Sequence, residues 1–388
     1  MSLTPPKPSS PAQSLYFHFP FCETKCHYCD FYSLGREKTK AGDADRFERA
    51  LIREIELRAQ AGAFAANAPA DSQIDTIFFG GGTPSMTPPD SMGRITDTLF
   101  RSVRLSEDYE WTMEANPSSI SLSNFEAYRA LGVNRISMGV QSLKNPQLLS
   151  LGRVHNESEA LNALEIVFTA GFENVSTDLL CGVPGQNEHD LRDHIERLSS
   201  FPITHLSIYL LTLPPHHAMY RDLPSEEEQL AHLLLIDSEM RARGFEHYEI
   251  SNFARPGKRA RHNLVYWTGG SYLAFGPSAH SYLRESHMRF KNVSSLHKYA
   301  GLLLDENRLA VEWEEHLSEE QLELEKWMLA IRLSEGFPRA WLTREIQQHK
   351  AAFCLEQGLL ETHPQDSTRL RATPRGFALS DMLVKELC

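Results

Sequence analysis

Three cysteines, Cys22, Cys26 and Cys29, fall inside one short segment, Tyr16–Phe31, which reads YFHFPFCETKCHYCDF. The other three, Cys181, Cys354 and Cys388, are scattered, and six in 388 residues are too few for a disulfide scaffold. Clustered thiols of this kind point instead to metal or cluster ligation. A fourth thiolate would complete a cubane or close a tetrahedral zinc site, whereas C-x3-C-x2-C leaves one iron without a protein ligand. The amino and carboxylate groups of a methionine moiety could fill that vacancy, as S-adenosylmethionine (SAM) does in radical chemistry. A zinc knuckle with His18 or His27 as fourth ligand is the alternative on spacing alone.

Other chemistry-bearing residues recur at intervals. Gly80, Gly81 and Gly82, in FFGGGTPS, let backbone approach a ligand without a Cβ in the way, although three glycines alone also make a bare turn. Glu114 (TMEANP), Gln141 (MGVQS) and Asp178 (STDLLCGVPG) each follow an apolar run, where polar groups line the active end of a parallel barrel. Arg153, in LGRVH, could fork onto a carboxylate or form a surface ion pair. Farther on, HNLVYW (His262–Trp267) combines an imidazole with two aromatic rings, and Arg259 and Arg261 precede it. Such a set could meet a flat macrocycle or could be a buried His–Asn pair over an aromatic core. Cys181, Cys354 and Cys388 read as small apolar residues.

The elements that must position these residues alternate in type. Strand-like runs are Leu15–Phe19, Ile74–Phe79, Glu110–Glu114, Arg135–Val140, Val175–Leu180 and His205–Leu211. Helix-like segments fall between them at Asp45–Gln60, Pro89–Arg101, Leu122–Leu131, Glu157–Ala170 and Glu188–Ser199. Ser121 and Asn156 are suitable N-caps, and Gly132 and Gly171 suitable stops. The expected fold class is therefore α/β, a partial (β/α)6 barrel, with a doubly wound open sheet as the alternative. Leu223–Gly244 reads as one long helix, and from Ser294 helix signals are continuous, ending in helix, hairpin and helix over Phe353–Leu387. The expected division is a disordered tail over 1–13, the barrel with its HNxxYW extension over 14–295, and a smaller, mainly helical, winged-helix-like domain over 296–388.

The net charge of −12 argues against a nucleic-acid groove, which needs a basic stripe. No apolar run reaches the ~20 residues that span a bilayer, and Met1–Pro11 has no signal-peptide core, so a cytoplasmic location is expected.

Taken together, the sequence resembles the radical SAM superfamily, in its oxygen-independent coproporphyrinogen-III-oxidase-like branch, from about residue 14 to 388. The motifs are Cys22, Cys26 and Cys29 inside Y-x-H-x-P-F-C, and the strand-end FFGGGTPS. The resemblance implies a [4Fe–4S] cluster on the three cysteines and SAM at Tyr16, Gly81, Gly82, Glu114, Gln141, Arg153 and Asp178, with Tyr28 beside the adenine. Porphyrinogen-oxidising members carry a further cysteine where this chain has Phe31, and a longer N-terminal extension. Both differences resemble the haem-chaperone (HemW) family, as does H-N-x-x-Y-W, which implies haem at His262, Tyr266 and Trp267. His18, His205 and His280 are further candidates for the iron ligand. The implied partners are haem, an electron donor for the cluster, and a haem-acceptor protein, a membrane-associated one among the options. The alternative is a catalytic radical SAM enzyme, such as a coproporphyrinogen III dehydrogenase or one acting on another large planar substrate.

Overall fold

The computed structural model describes residues 13–64 and 73–388. The expected tail over 1–13 lies outside them except for Gln13. The chain opens with β1 (Ser14–Phe19), α1 (Asp43–Gln60), β2 (Ile74–Gly81), α2 (Pro89–Phe100), β3 (Leu105–Ala115), α3 (Leu122–Leu131) and β4 (Arg135–Gln141). Then come α4 (Asn145–Ser150), α5 (Glu157–Thr169), β5 (Asn174–Cys181), α6 (Glu188–Ser199), β6 (His205–Leu210) and α7 (Glu226–Ala242). Strands and helices alternate because the sequence does: apolar runs of strand length are closed by caps and glycines. Asn156 caps α5 reciprocally with Glu159, Ser121 caps α3, and Gly132 ends α3 at φ +112°.

The chain divides into two compact units. The first takes its described residues from 13–140, 148–175 and 270–317. Its strands β1 to β4 pair parallel in chain order, and a further strand, Leu273–Phe275, pairs parallel on the other side of β1. Phe17, Phe19, Phe79, Trp111 and Met113 are fully or almost fully buried in its core. One buried carboxylate organises a corner of this unit. Glu54 of α1 accepts from Arg58, the Gly276 N–H, Asn292 and Tyr299 at 2.6–2.9 Å, so the charge is compensated by four donors.

The polar, aromatic stretch after α7 proves to be β7 (Glu246–Glu249), β8 (Asn252–Ala254), α8 (Arg261–Trp267), β9 (Leu273–Phe275) and β10 (His280–Leu283). Then follow β11 (Met288–Asn292), α9 (Leu296–Ala300) and β12 (Val311–His316), so the continuous helix expected from Ser294 is interrupted by a strand. Residues 311–316, VEWEEH, pair antiparallel with β11, with Val311 buried and Glu312 and Trp313 exposed.

The second unit comprises 141–147, 176–269 and 318–388. Segment 296–388 is thus shared between the units, and the expected boundary near 295 is crossed at 317/318 instead. In the second unit β5 pairs parallel with β6, and β6 pairs antiparallel with β8, which pairs with β7. Its end holds α10 (Glu319–Ile331), β13 (Phe337–Pro338), α11 (Glu345–Glu356), β14 (Leu360–His363), β15 (Asp366–Ala372), α12 (Pro374–Ala378) and α13 (Ser380–Leu387). A three-stranded antiparallel sheet packs there around Trp327, Ile331, Phe337, Leu370 and Leu383. Cys181 and Cys354 are buried as expected, whereas Cys388 is exposed at the chain end.

Candidate functional site

The cysteine loop, residues 20–34, begins where β1 ends. Its two limbs are closed by hydrogen bonds from the Cys22 N–H to the Leu34 carbonyl (2.9 Å) and from the Leu34 N–H to the Pro20 carbonyl (2.7 Å). The Gly82 and Thr83 N–H groups at the end of β2 donate to the Phe19 and Phe21 carbonyls at 2.6 and 2.7 Å. A Cβ on Gly82 would stand 2.6 Å from the Phe21 carbonyl oxygen, and one on Gly81 (φ +107°) would stand 2.6 Å from the His18 ring. The glycine run therefore seats the loop. On the far side the His27 N–H donates to the Leu151 carbonyl (3.2 Å), tying the loop to the segment that carries Arg153.

Cys22, Cys26 and Cys29 are all half-buried free thiols. Burial pushes the thiols of Cys22 and Cys29 up, and the neighbouring cysteine charges add to the effect. Two donors reach the sulfurs: the Thr83 hydroxyl at 3.6 Å from Cys22 Sγ, and Arg153 Nη1 at 3.5 Å from Cys26 Sγ. Thr83 was not picked out from the sequence; its place directly after GGG was the available signal. Among the described residues no group of three or more His, Cys, Asp or Glu side chains converges on a single-ion position. Sulfurs around one zinc must lie within about 4 Å of each other, given ~2.3 Å Zn–S bonds, whereas a four-iron cubane holds its thiolates farther apart. Three half-buried thiols on one loop, with donors at Cys22 and Cys26, fit the cluster.

Beside the loop lie groups that fit an aminoacyl ligand. Arg153 Nη2 donates to the Gly139 carbonyl at 2.6 Å, and its Nε–H is buried with no partner among the described residues. Glu114, one residue before the end of β3, accepts from the Gly81 N–H at 3.0 Å. The Tyr16 hydroxyl meets His18 Nδ1 at 3.1 Å, and burial, aided by the Glu114 charge, holds that phenol protonated. Tyr28 is likewise pushed up by burial, against the opposing pull of the Arg153 charge. His155, two residues after Arg153, was also missed. Its Nε2 meets the Val140 carbonyl at 3.1 Å, and burial, then the Arg153 charge, pushes it down to about 3. It is a neutral prop for the end of β4.

In the second unit, Gln141 ends β4 in the left-handed region (φ 68°), with its side-chain oxygen buried and unpartnered among the described residues. A non-glycine residue held there is strained, and such strain gathers at ligand sites. Asp178 sits in the middle of β5, not at its end, opposite Ser207.

The HNxxYW motif forms α8. His262 is fully buried, and its Nε2 lies 2.8 Å from the Tyr266 hydroxyl, so it presents no open imidazole as a ligand would. Arg259 is ion-paired with Glu335 and Glu246. Tyr266 and Trp267 are half-buried and line a cavity with Asn263. Of the other histidine candidates, His205 meets Ser176 and Tyr248 through its two nitrogens, and His18 meets Tyr16 and the Tyr32 carbonyl. His280 is exposed.

Comparison with known proteins gives the family. The Radical SAM superfamily matches residues 16–198. The heme chaperone HemW of Mycobacterium tuberculosis is 34% identical, over 98% of this chain and 96% of its own length. HemW of Bacillus subtilis is 34% identical over 84% of each chain. Among solved structures, coproporphyrinogen III oxidase (HemN) of Escherichia coli superposes with a TM-score of 0.80 at 22% identity, covering 97% of this chain and 90% of that one. At that identity the likeness shows the fold, a partial radical SAM barrel with a smaller C-terminal part.

Proposed function

The chain belongs to the radical SAM superfamily and, within it, to the HemW family, and from that premise we propose that it binds haem and delivers it to an acceptor protein. The observation that carries this reading is the 34% identity to a heme chaperone across 98% of the chain. Phe31 supports it. By the resemblance, porphyrinogen-oxidising members typically have cysteine at the corresponding position, and here the ring is 68% exposed within the cysteine loop.

Cys22, Cys26 and Cys29 would hold a [4Fe–4S] cluster, and SAM would take its open iron. When bound, that pair supplies one-electron reducing chemistry to the site. The residues of this chain do the positioning. Arg153 offers its unclaimed Nε–H to the methionyl carboxylate while its Nη1 reaches Cys26. Glu114, steered by the Gly81 N–H, takes the methionyl amine, and the family resemblance assigns Gln141 and Asp178 to SAM as well. Tyr28 packs beside the adenine. The remaining partners are an electron donor for the cluster and the protein that accepts the haem. No described helix is long and apolar enough to cross a membrane.

For haem we assign the flat contact to Trp267 and Tyr266, with His262 holding the Tyr266 hydroxyl and another group ligating the iron. The test is a Soret titration of anaerobically reconstituted protein. Trp267→Ala should weaken haem about tenfold or more, since an aromatic anchor is worth ~1.4 kcal/mol or above. His262→Ala should shift affinity without changing the axial-ligand signature of the spectrum. Haem affinity unchanged in Trp267→Ala would remove the motif from the site.

A further inference from the structure

The second unit contains a cavity of about 270 Å³ with an unusual polar floor. Glu249, the last residue of β7, and Asn252, the first of β8, form that floor; both are buried, Glu249 completely. The Ser251 N–H donates to one Glu249 carboxylate oxygen at 3.0 Å, and the Asn252 amide donates to the other. Having spent its N–H on Glu249, Asn252 leaves its carbonyl oxygen buried and unpartnered among the described residues. The walls are the rings of Tyr209, Tyr266 and Trp267, with Leu329 of α10 on a further side.

Among the polar groups lining it (Tyr209, Ser251, Asn263 and Tyr266 also contribute) are two buried acceptors, the Glu249 carboxylate and the Asn252 carbonyl, and a buried acceptor left unsatisfied is costly until a donor arrives. A ligand that brought N–H groups would pair Asn252 and Glu249 together, and a positive charge would be attracted both by the carboxylate and by the faces of three rings. Burial already pushes the Glu249 carboxyl up to about 7, as expected of an acid without an adequate counter-charge. A propionate or phosphate would meet repulsion here. The volume lies at or below the lower end of small-molecule sites, which suits a single side chain or small amine and not a macrocycle.

We propose that this cavity is a recognition site for a cationic group on a short apolar stem, a guanidinium or ammonium, carried by a side chain of a partner protein or by a small amine. The site adds Glu249 and Asn252 to the rings of Tyr266 and Trp267, which the haem reading also uses.

Isothermal titration of the full chain with butylguanidinium and with its neutral counterpart N-butylurea tests the assignment. The wild type should bind the cation at least tenfold more tightly than the urea, and Glu249→Gln should reduce that preference to about twofold or less. A blocked Gly-Arg-Gly peptide that binds more tightly than butylguanidinium identifies a partner side chain as the source, and a weaker one identifies a small amine. Equal affinity for cation and urea in the wild type, or an undiminished preference in Glu249→Gln, overturns the proposal. Should Glu249→Gln fail to fold, Leu329→Trp, which fills the cavity from a half-buried helix position, must abolish cation binding; binding retained in that variant overturns it equally. Because haem is absent from these titrations, failure here leaves the Soret result untouched, and the reverse also holds.

Discussion

Arg153 shows most clearly what a single side chain is asked to do in the cofactor site. Its two terminal nitrogens reach Gly139 and Cys26, and its Nε–H is buried and unclaimed. A lysine cannot reproduce that fork. Arg153→Lys and Arg153→Ala should therefore weaken SAM by roughly 30-fold or more, from ~2–4 kcal/mol for a desolvated charge contact, while iron and sulfide content stay at wild-type levels. Anaerobic equilibrium dialysis with SAM and an iron assay check both halves. Glu249 gives a pH prediction. Burial raises its folded pKa from 4.5 to about 7, so the folded protein holds that proton more tightly than the unfolded chain. The stability this lends is complete below about 4.5 and is lost as pH rises through about 7. The unfolding free energy of wild type minus that of Glu249→Gln should accordingly fall by a few kcal/mol between about pH 5 and about pH 8. A flat difference, measured by denaturant titration, would contradict the raised acid.

At the scale of elements, what was legible in the sequence was whatever repeats at short range. The six apolar runs became β1 to β6 within a few residues, and the caps at Ser121 and Asn156 and the stop at Gly132 act as read. The cysteine triad was legible because thiolate chemistry depends on spacing within one loop. The rest depended on long-range contacts. Residues 273–275, LAF, are too short to announce a strand, yet β9 pairs parallel with β1 at Leu15–Phe17. Thr83 and His155 gain their roles from partners 61 and 15 residues away, Cys22 and Val140. His262 had the right type for an iron ligand, but helical spacing placed its ring against Tyr266 four residues on. The Glu54 network is of the same long-range kind, joining α1 to residues 276, 292 and 299. Removing the carboxylate by Glu54→Ala strands a buried Arg58 and three further donors. It should cost about 3–5 kcal/mol, read as a lowered denaturant midpoint with an unchanged slope. A loss below about 1 kcal/mol would show that solvent already screens the cluster.

For the whole molecule, the question is whether a fold shared with a porphyrinogen oxidase performs oxidation or carriage. The superposition with HemN covers nearly the entire chain, so architecture does not separate the two. The distinction rests on a few residues: Phe31 by the cluster loop, and the α8 motif whose aromatic pair lies on the second unit. Carriage and oxidation separate in one experiment. Reconstituted protein is given haem and coproporphyrinogen III together, with SAM and a reductant, and the mixture is resolved chromatographically after spectral titration. Carriage requires about one haem retained per chain and coproporphyrinogen III recovered intact; decarboxylated porphyrinogen accumulating over many turnovers, with haem eluting free of protein, would contradict it.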